Sequence, residues 1–175
     1  MEERKGVVTK GGKPVTLLGP EIKVGQKAPD FNLVDIHWNE VELSQSKGKV
    51  RLLSVIHSID TPICEIQTRR FEEEASKNEK VVIYTISMDL PFAQARYDES
   101  HNLKYIKMLS DYRDGSFGAA YGVLIKEQRL LSRAIFIIDG MDSVRYVEYV
   151  KEVASEPDYE KALVALNGIV PGKTG

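Results

Sequence analysis

Three short, nearly unbroken apolar runs limit what this chain can fold into. They are VRLLSVIH (Val50 to His57), VVIYTISM (Val81 to Met88) and RAIFIID (Arg133 to Asp139). Each is rich in branched or aromatic residues and too short for a buried helix. That is the signature of central strands covered on both faces. A sheet of this kind needs layers on each side, and the intervening sequence supplies them. PICEIQTRRFEEEASK, between the first two runs, places Cys64, Thr68, Phe71 and Ala75 on one helix face. After the second run, Asp89 is a candidate N-cap and Pro91 suits a first helical turn, so FAQARYDESHN is expected to be helical. PDYEKALVALNGIV reads as a closing amphipathic helix with Ala162, Leu163, Leu166, Ile169 and Val170 as its apolar stripe.

The remaining strands are expected near Phe31 to Asp35, Val41 to Leu43, in IKMLS and in SVRYVEYV. GVVTKGGKPVTLLG reads as a hairpin turning at Gly11-Gly12, a dipeptide that tolerates positive φ. Alternating strands and helices predict an α/β core with some parallel pairing, and an antiparallel pair at the C-terminal end. The 175 residues suit one domain over 1–175, and no linker or repeat divides them. With 24 basic against 26 acidic residues and no basic block, nucleic acid is not an expected partner. No apolar run reaches the roughly 18 residues of a membrane span. The opening MEERKGVVTKGG lacks the apolar centre of a signal peptide, so the expected location is the cytoplasm.

The chain has one cysteine, which excludes an internal disulfide framework, a thiolate metal cluster and an internal dithiol pair. The ordinary reading of a lone cysteine is a small buried hydrophobe. The setting HSIDTPIC argues for more. With Thr61 as N-cap and Pro62 as first helical residue, Cys64 is the third. Unpaired N–H groups and the positive helix end stabilise a thiolate there, and the thiolate is the nucleophile. Thr61 adds a hydroxyl that can donate to, or accept from, a bound oxygen. No metal ligand set and no cofactor is expected; DGSFGAAYG is not a phosphate loop, because no lysine follows at the needed spacing.

IDTPICEIQTRRF resembles the active-site segment of the peroxiredoxins. DLPFAQARY, LSDYRDGSFGAAYGV and RLLSRAIFIID resemble segments of one subfamily, the bacterial thiol peroxidases, in the same order. The resemblance runs from about Gly6 to Leu166. It implies a thioredoxin-like fold (a mixed central sheet with helices on both faces) extended by an N-terminal β-hairpin. It also implies a homodimer that reduces hydrogen peroxide and organic hydroperoxides. By resemblance, Cys64 is the peroxidatic cysteine, Thr61 contacts the peroxide, and Arg133 steadies thiolate and peroxide. The thiolate would attack one peroxide oxygen and become a sulfenic acid, with water or alcohol leaving.

Two positions depart from the family pattern. His57 stands where the family has proline. It could pack over the cysteine, act as a proton carrier near Cys64, or simply end a strand with one backbone hydrogen bond. Asp98 stands where the thiol peroxidases carry a resolving cysteine, and reads as a surface carboxylate. The internal disulfide cycle is then closed to a single chain, and an external thiol, thioredoxin-like or small, must resolve the sulfenic acid. The competing readings are a peroxide-reactive sensor or partner-binding protein with little turnover, and an interaction protein with an inert cysteine. The Glu72-Glu73-Glu74 run reads as a solvated helix face. Trp38, Tyr97 and Tyr105 could pack either a dimer interface or the core.

Overall fold

A computed structural model describes residues 1–170; the last five residues of the expected domain 1–175 lie outside the described residues. In chain order the elements are β1 (Glu3–Lys10), β2 (Lys13–Leu18), β3 (Asn32–Asp35), β4 (Glu40–Glu42), β5 (Val50–Val55), α1 (Pro62–Ser76), β6 (Val81–Ser87) and α2 (Pro91–His101). There follow β7 (Ile106–Ser110), α3 (Ser116–Ala120), β8 (Leu124–Ile125), β9 (Leu130–Leu131), β10 (Ala134–Ile138), β11 (Val144–Tyr149) and α4 (Tyr159–Ile169).

The three apolar runs become β5, β6 and β10, inside a mixed seven-stranded sheet of order β11-β10-β5-β6-β7-β3-β4. β5–β6 and β6–β7 pair parallel, whereas β10 pairs antiparallel with both β5 and β11. Both faces are covered, as the unbroken apolarity requires. Along β5, Leu52 and Leu53 are fully buried but belong to different clusters. In β10, Ile135 and Ile137 face one way and Ala134, Phe136 and Ile138 the other. One layer includes Phe71 and Ala75 from α1 with Ala162 and Leu166 from α4. The opposite layer includes Phe117 from α3 with Leu124 and Leu131 from β8 and β9. Each fully buried Leu or Ile contributes roughly 1.5–3 kcal/mol. This is the expected thioredoxin-like architecture.

The hairpin forms about Gly11 and Gly12, at φ 58° and 77°, where a side chain would be strained. It is part of a small second sheet of order β1-β2-β8-β9. β8 and β9 are too short to give a strand pattern in sequence. The hairpin also reaches the C-terminal segment, because Thr9 N donates to Lys151 O and Val153 N to Thr9 O.

Two local expectations are corrected. Asp89 does not cap α2; Leu90 holds that position. The Asp89 carboxylate instead accepts from Ser58 Oγ, Ile59 N and Ser87 Oγ, at 2.9, 2.9 and 2.6 Å. It therefore fixes the loop that leads into α1. Glu72 is not a solvated member of its acidic run. Its carboxylate accepts from the backbone N–H groups of Lys104, Tyr105 and Ile106, tying the entry of β7 to α1. Glu73 is exposed as expected.

Candidate active site

The site forms where β5 ends and the chain crosses to α1. Thr61 is the N-cap in an extended conformation, Pro62 opens the helix, and Cys64 is its third residue, as the sequence indicates. No side chain caps this turn, because Thr61 Oγ1 turns back and donates to Ser58 O at 3.1 Å. The positive end of the helix is left available to an anion or an oxygen atom. One turn on, Thr68 Oγ1 donates to the Cys64 carbonyl at 2.8 Å.

Cys64 has no exposed surface. Its side chain belongs to a cluster with Ile56, Ile59, Tyr97 and Met108, against α2. The Tyr97 ring stacks on His101 at 3.9 Å, and His101 Nε2 lies 3.4 Å from Glu65 Oε1 on α1. This bridge closes over the cysteine from the α2 side. Burial, aided by the Glu65 charge, pushes the Tyr97 hydroxyl up to about 12, so the ring stays neutral. A pocket of about 360 Å³ opens along the same seam, lined by Asp60, Thr61, Glu65, Arg96, Tyr97 and His101, among others.

On the other flank of the helix start, Thr61, Arg133 and His57 meet in a smaller pocket of about 160 Å³. Arg133 is buried despite its charge. Its Nε donates to Val153 O and its Nη1 to Gln67 Oε1, both at 2.9 Å. Gln67 in turn donates to Ser54 Oγ at 2.8 Å, which ties the arginine to α1 and β5 together. A guanidinium has five donors, so this anchorage leaves others for a ligand. Ile63 lines this pocket and the Cys64 side chain does not. Three of the sequence-selected residues thus share one pocket, while the thiol packs behind the helix turn that forms its wall.

His57 makes more than the single backbone contact of a strand end. Its Nδ1 lies 2.8 Å from Leu131 O, and its Nε2 lies 3.1 Å from Lys10 Nζ. Burial, reinforced by the Lys10 and Arg133 cations, holds the imidazole below its ordinary value of 6.5 despite the Leu131 carbonyl. Asp98 is half-buried on α2 rather than a freely exposed carboxylate. Burial first, then the Glu72 charge, raises its carboxyl above the usual range. Sequence reading missed Lys10, Gln67 and the Tyr97–His101 lid, none of which carries a local motif.

The profile of the Redoxin family matches residues 23–163, spanning everything from the segment before β3 into α4. The chain belongs to the Redoxin family. Within it, the curated relatives are bacterial thiol peroxidases. That of Halalkalibacterium halodurans is 54% identical over 158 residues, 90% of this chain and 95% of the relative. That of Bacillus subtilis is 51% identical over 163 residues, 93% and 98% of the two chains. Among solved structures, a peroxiredoxin-like protein from Aquifex aeolicus superposes with a TM-score of 0.89 at 37% identity, covering 97% of this chain and 100% of that one. A thiol peroxidase from Chromobacterium violaceum gives 0.82 at 26% identity, covering 92% and 95%. This redoxin is therefore a peroxiredoxin of the thiol peroxidase type, and its one cysteine is Cys64. The matched span includes β5, α1 and Cys64.

Proposed function

We propose that this redoxin reduces hydrogen peroxide and organic hydroperoxides through Cys64, with an external thiol completing the cycle. The observation that carries the reading is an uncapped α1 start that holds the sole cysteine beside a pocket containing Arg133 and Thr61. The Cys64 thiolate attacks the distal peroxide oxygen, the O–O bond breaks, and the other oxygen leaves as water or alcohol after taking one proton. The sulfur, oxidised by two electrons, becomes a sulfenic acid. Arg133 and the free N–H groups of the first turn stabilise charge on the oxygens, because they are fixed before reaction. Thr61 Oγ can release Ser58 O and accept from the peroxide O–H.

The sulfenic acid then condenses with an outside thiol, releasing water, and a second thiol reduces the mixed disulfide. Asp98 cannot supply that thiol. The groove beside Tyr97 and His101 is the route by which the reductant reaches Cys64, once the first turn of α1 loosens. The enzyme acts in the cytoplasm, as a single domain that pairs as a homodimer. Trp38, Phe92 and Leu90 support the pairing; they are 41%, 69% and 50% exposed, and Trp38 and Phe92 are in edge contact at 5.0 Å. Tyr97, by contrast, belongs to the core.

The full burial of Cys64 favours one competing reading, a peroxide-reactive sensor with little turnover. Peroxide consumption with dithiothreitol, and then with thioredoxin, separates the two when compared with Cys64→Ser. Many turnovers per Cys64 support the enzyme; a single stoichiometric oxidation supports the sensor. Peroxide loss unchanged in Cys64→Ser would remove both.

A further inference from the structure

The pocket beside Arg133 contains a second cation that the peroxidase reading leaves unused. Lys10, the last residue of β1, extends over it, with Nζ 3.1 Å from both His57 Nε2 and Gln128 Oε1. The donor inventory fixes the state of His57. The Leu131 carbonyl can only accept, so Nδ1 carries the hydrogen; the ammonium can only donate, so Nε2 presents a lone pair. The histidine therefore has a use there: it holds the lysine over the pocket.

Among the described residues neither Lys10 nor Arg133 enters an ion pair. Both of Lys10's contacts are to neutral groups, and Arg133 binds a carbonyl and an amide. The carboxylates nearby in the fold have other partners. Asp89 accepts from Ser58, Ile59 and Ser87, and Glu152 accepts from Thr9, Gly12 and Ala154. The lining is almost wholly apolar: Pro62, Ile63, Val153 and Ala154 form the walls, and Lys10 and Arg133 border the pocket mainly through their carbon stems. The volume of about 160 Å³ is well below the roughly 300 Å³ at which drug-sized sites begin, so it suits a short carbon chain.

We propose that Lys10 is a specificity-determining residue that selects small organic hydroperoxides carrying a carboxylate, with His57 as its positioning residue. The proposal rests on the peroxidase reading above. The hydroperoxide group lies toward Arg133 and the start of α1, the carbon chain lies along the apolar walls, and the carboxylate pairs with the Lys10 ammonium. The partly desolvated site makes that pair worth more than an exposed one.

The test compares kcat/KM for hydroperoxyhexanoate and for its methyl ester in the wild type, Lys10→Met and Lys10→Arg. The acid-to-ester ratio is expected to fall roughly three- to tenfold in Lys10→Met, to stay near the wild-type value in Lys10→Arg, and to shrink with salt. A second measurement needs no turnover: hexanoate titrated into the full-length protein while the His57 ring resonances are followed by NMR. Saturable shifts that vanish in Lys10→Met support the proposal. Unmoved His57 resonances, or an acid-to-ester ratio equal in wild type and Lys10→Met, overturn it. Hydrogen peroxide consumption by the wild type against Cys64→Ser reports separately on the peroxidase reading, so the two failures are distinguishable.

Discussion

Arg133 donates to Gln67 Oε1 at 2.9 Å, so the start of β10 is tied to α1 three residues after Cys64. The arginine is anchored at both ends of its guanidinium before any peroxide arrives. Removing such a fixed donor typically costs about 10²–10³-fold in kcat. Arg133→Met should lose about that much, and Arg133→Lys, which cannot reach both Val153 and Gln67, should recover little of it. Gln67→Leu should lower kcat by about tenfold with KM little changed, since it misplaces the arginine without removing it. Steady-state kinetics beside urea unfolding separates these effects from instability. A Gln67→Leu enzyme with wild-type kcat would show that the anchor is dispensable.

Asp98→Cys should restore an internal disulfide with Cys64 after peroxide treatment. The bridge needs Cα atoms within about 7 Å and a thiol freed from the Tyr97 cluster, so the start of α1 or part of α2 must unwind first. The substitution removes a carboxylate already disfavoured by burial and by Glu72. Solvent screening keeps the change in stability within about 0.5 kcal/mol. The readout is a faster band on a non-reducing gel and gain of thioredoxin-dependent turnover. Oxidation of Cys64 with no internal bridge would contradict the assignment of this position.

His57 should make stability depend on pH in one direction. Its native value is depressed below the ordinary 6.5, so in mildly acidic solution the unfolded chain binds more protons than the folded one. The stability from neutral His57 is full above about pH 6.5 and is lost as pH falls through the lowered native value. Unfolding free energy should drop more steeply from pH 7 to pH 5 in the wild type than in His57→Asn. Identical slopes would mean that His57 titrates as it does in the unfolded chain.

Glu72 should matter for stability far more than its neighbour Glu73. Glu72→Ala leaves three backbone N–H groups at the entry of β7 without their acceptor and should cost about 1–3 kcal/mol. Glu73→Ala should stay within about 0.5 kcal/mol. Urea midpoints of the two variants decide it, and equal midpoints would refute the anchoring role.

Local sequence was enough to place the central strands, because VRLLSVIH, VVIYTISM and RAIFIID have apolar side chains on both faces and can be buried only in the middle of a layered sheet. It also determined the start of α1. Thr61, Pro62 and Cys64 lie within one turn, where local backbone geometry decides who caps and who follows. Neighbours in sequence cannot report the rest. Asp89 has the pattern of a helix cap, yet a loop that reaches it from the end of β5 takes its carboxylate. Glu72 looks like one of three solvated acids until β7 arrives with three unpaired N–H groups. Lys10 and His57 are 47 residues apart and meet only because the hairpin pairs with β8 in the second sheet. Burial and long-range hydrogen bonding assign those roles, and both exist only once the chain has closed on itself.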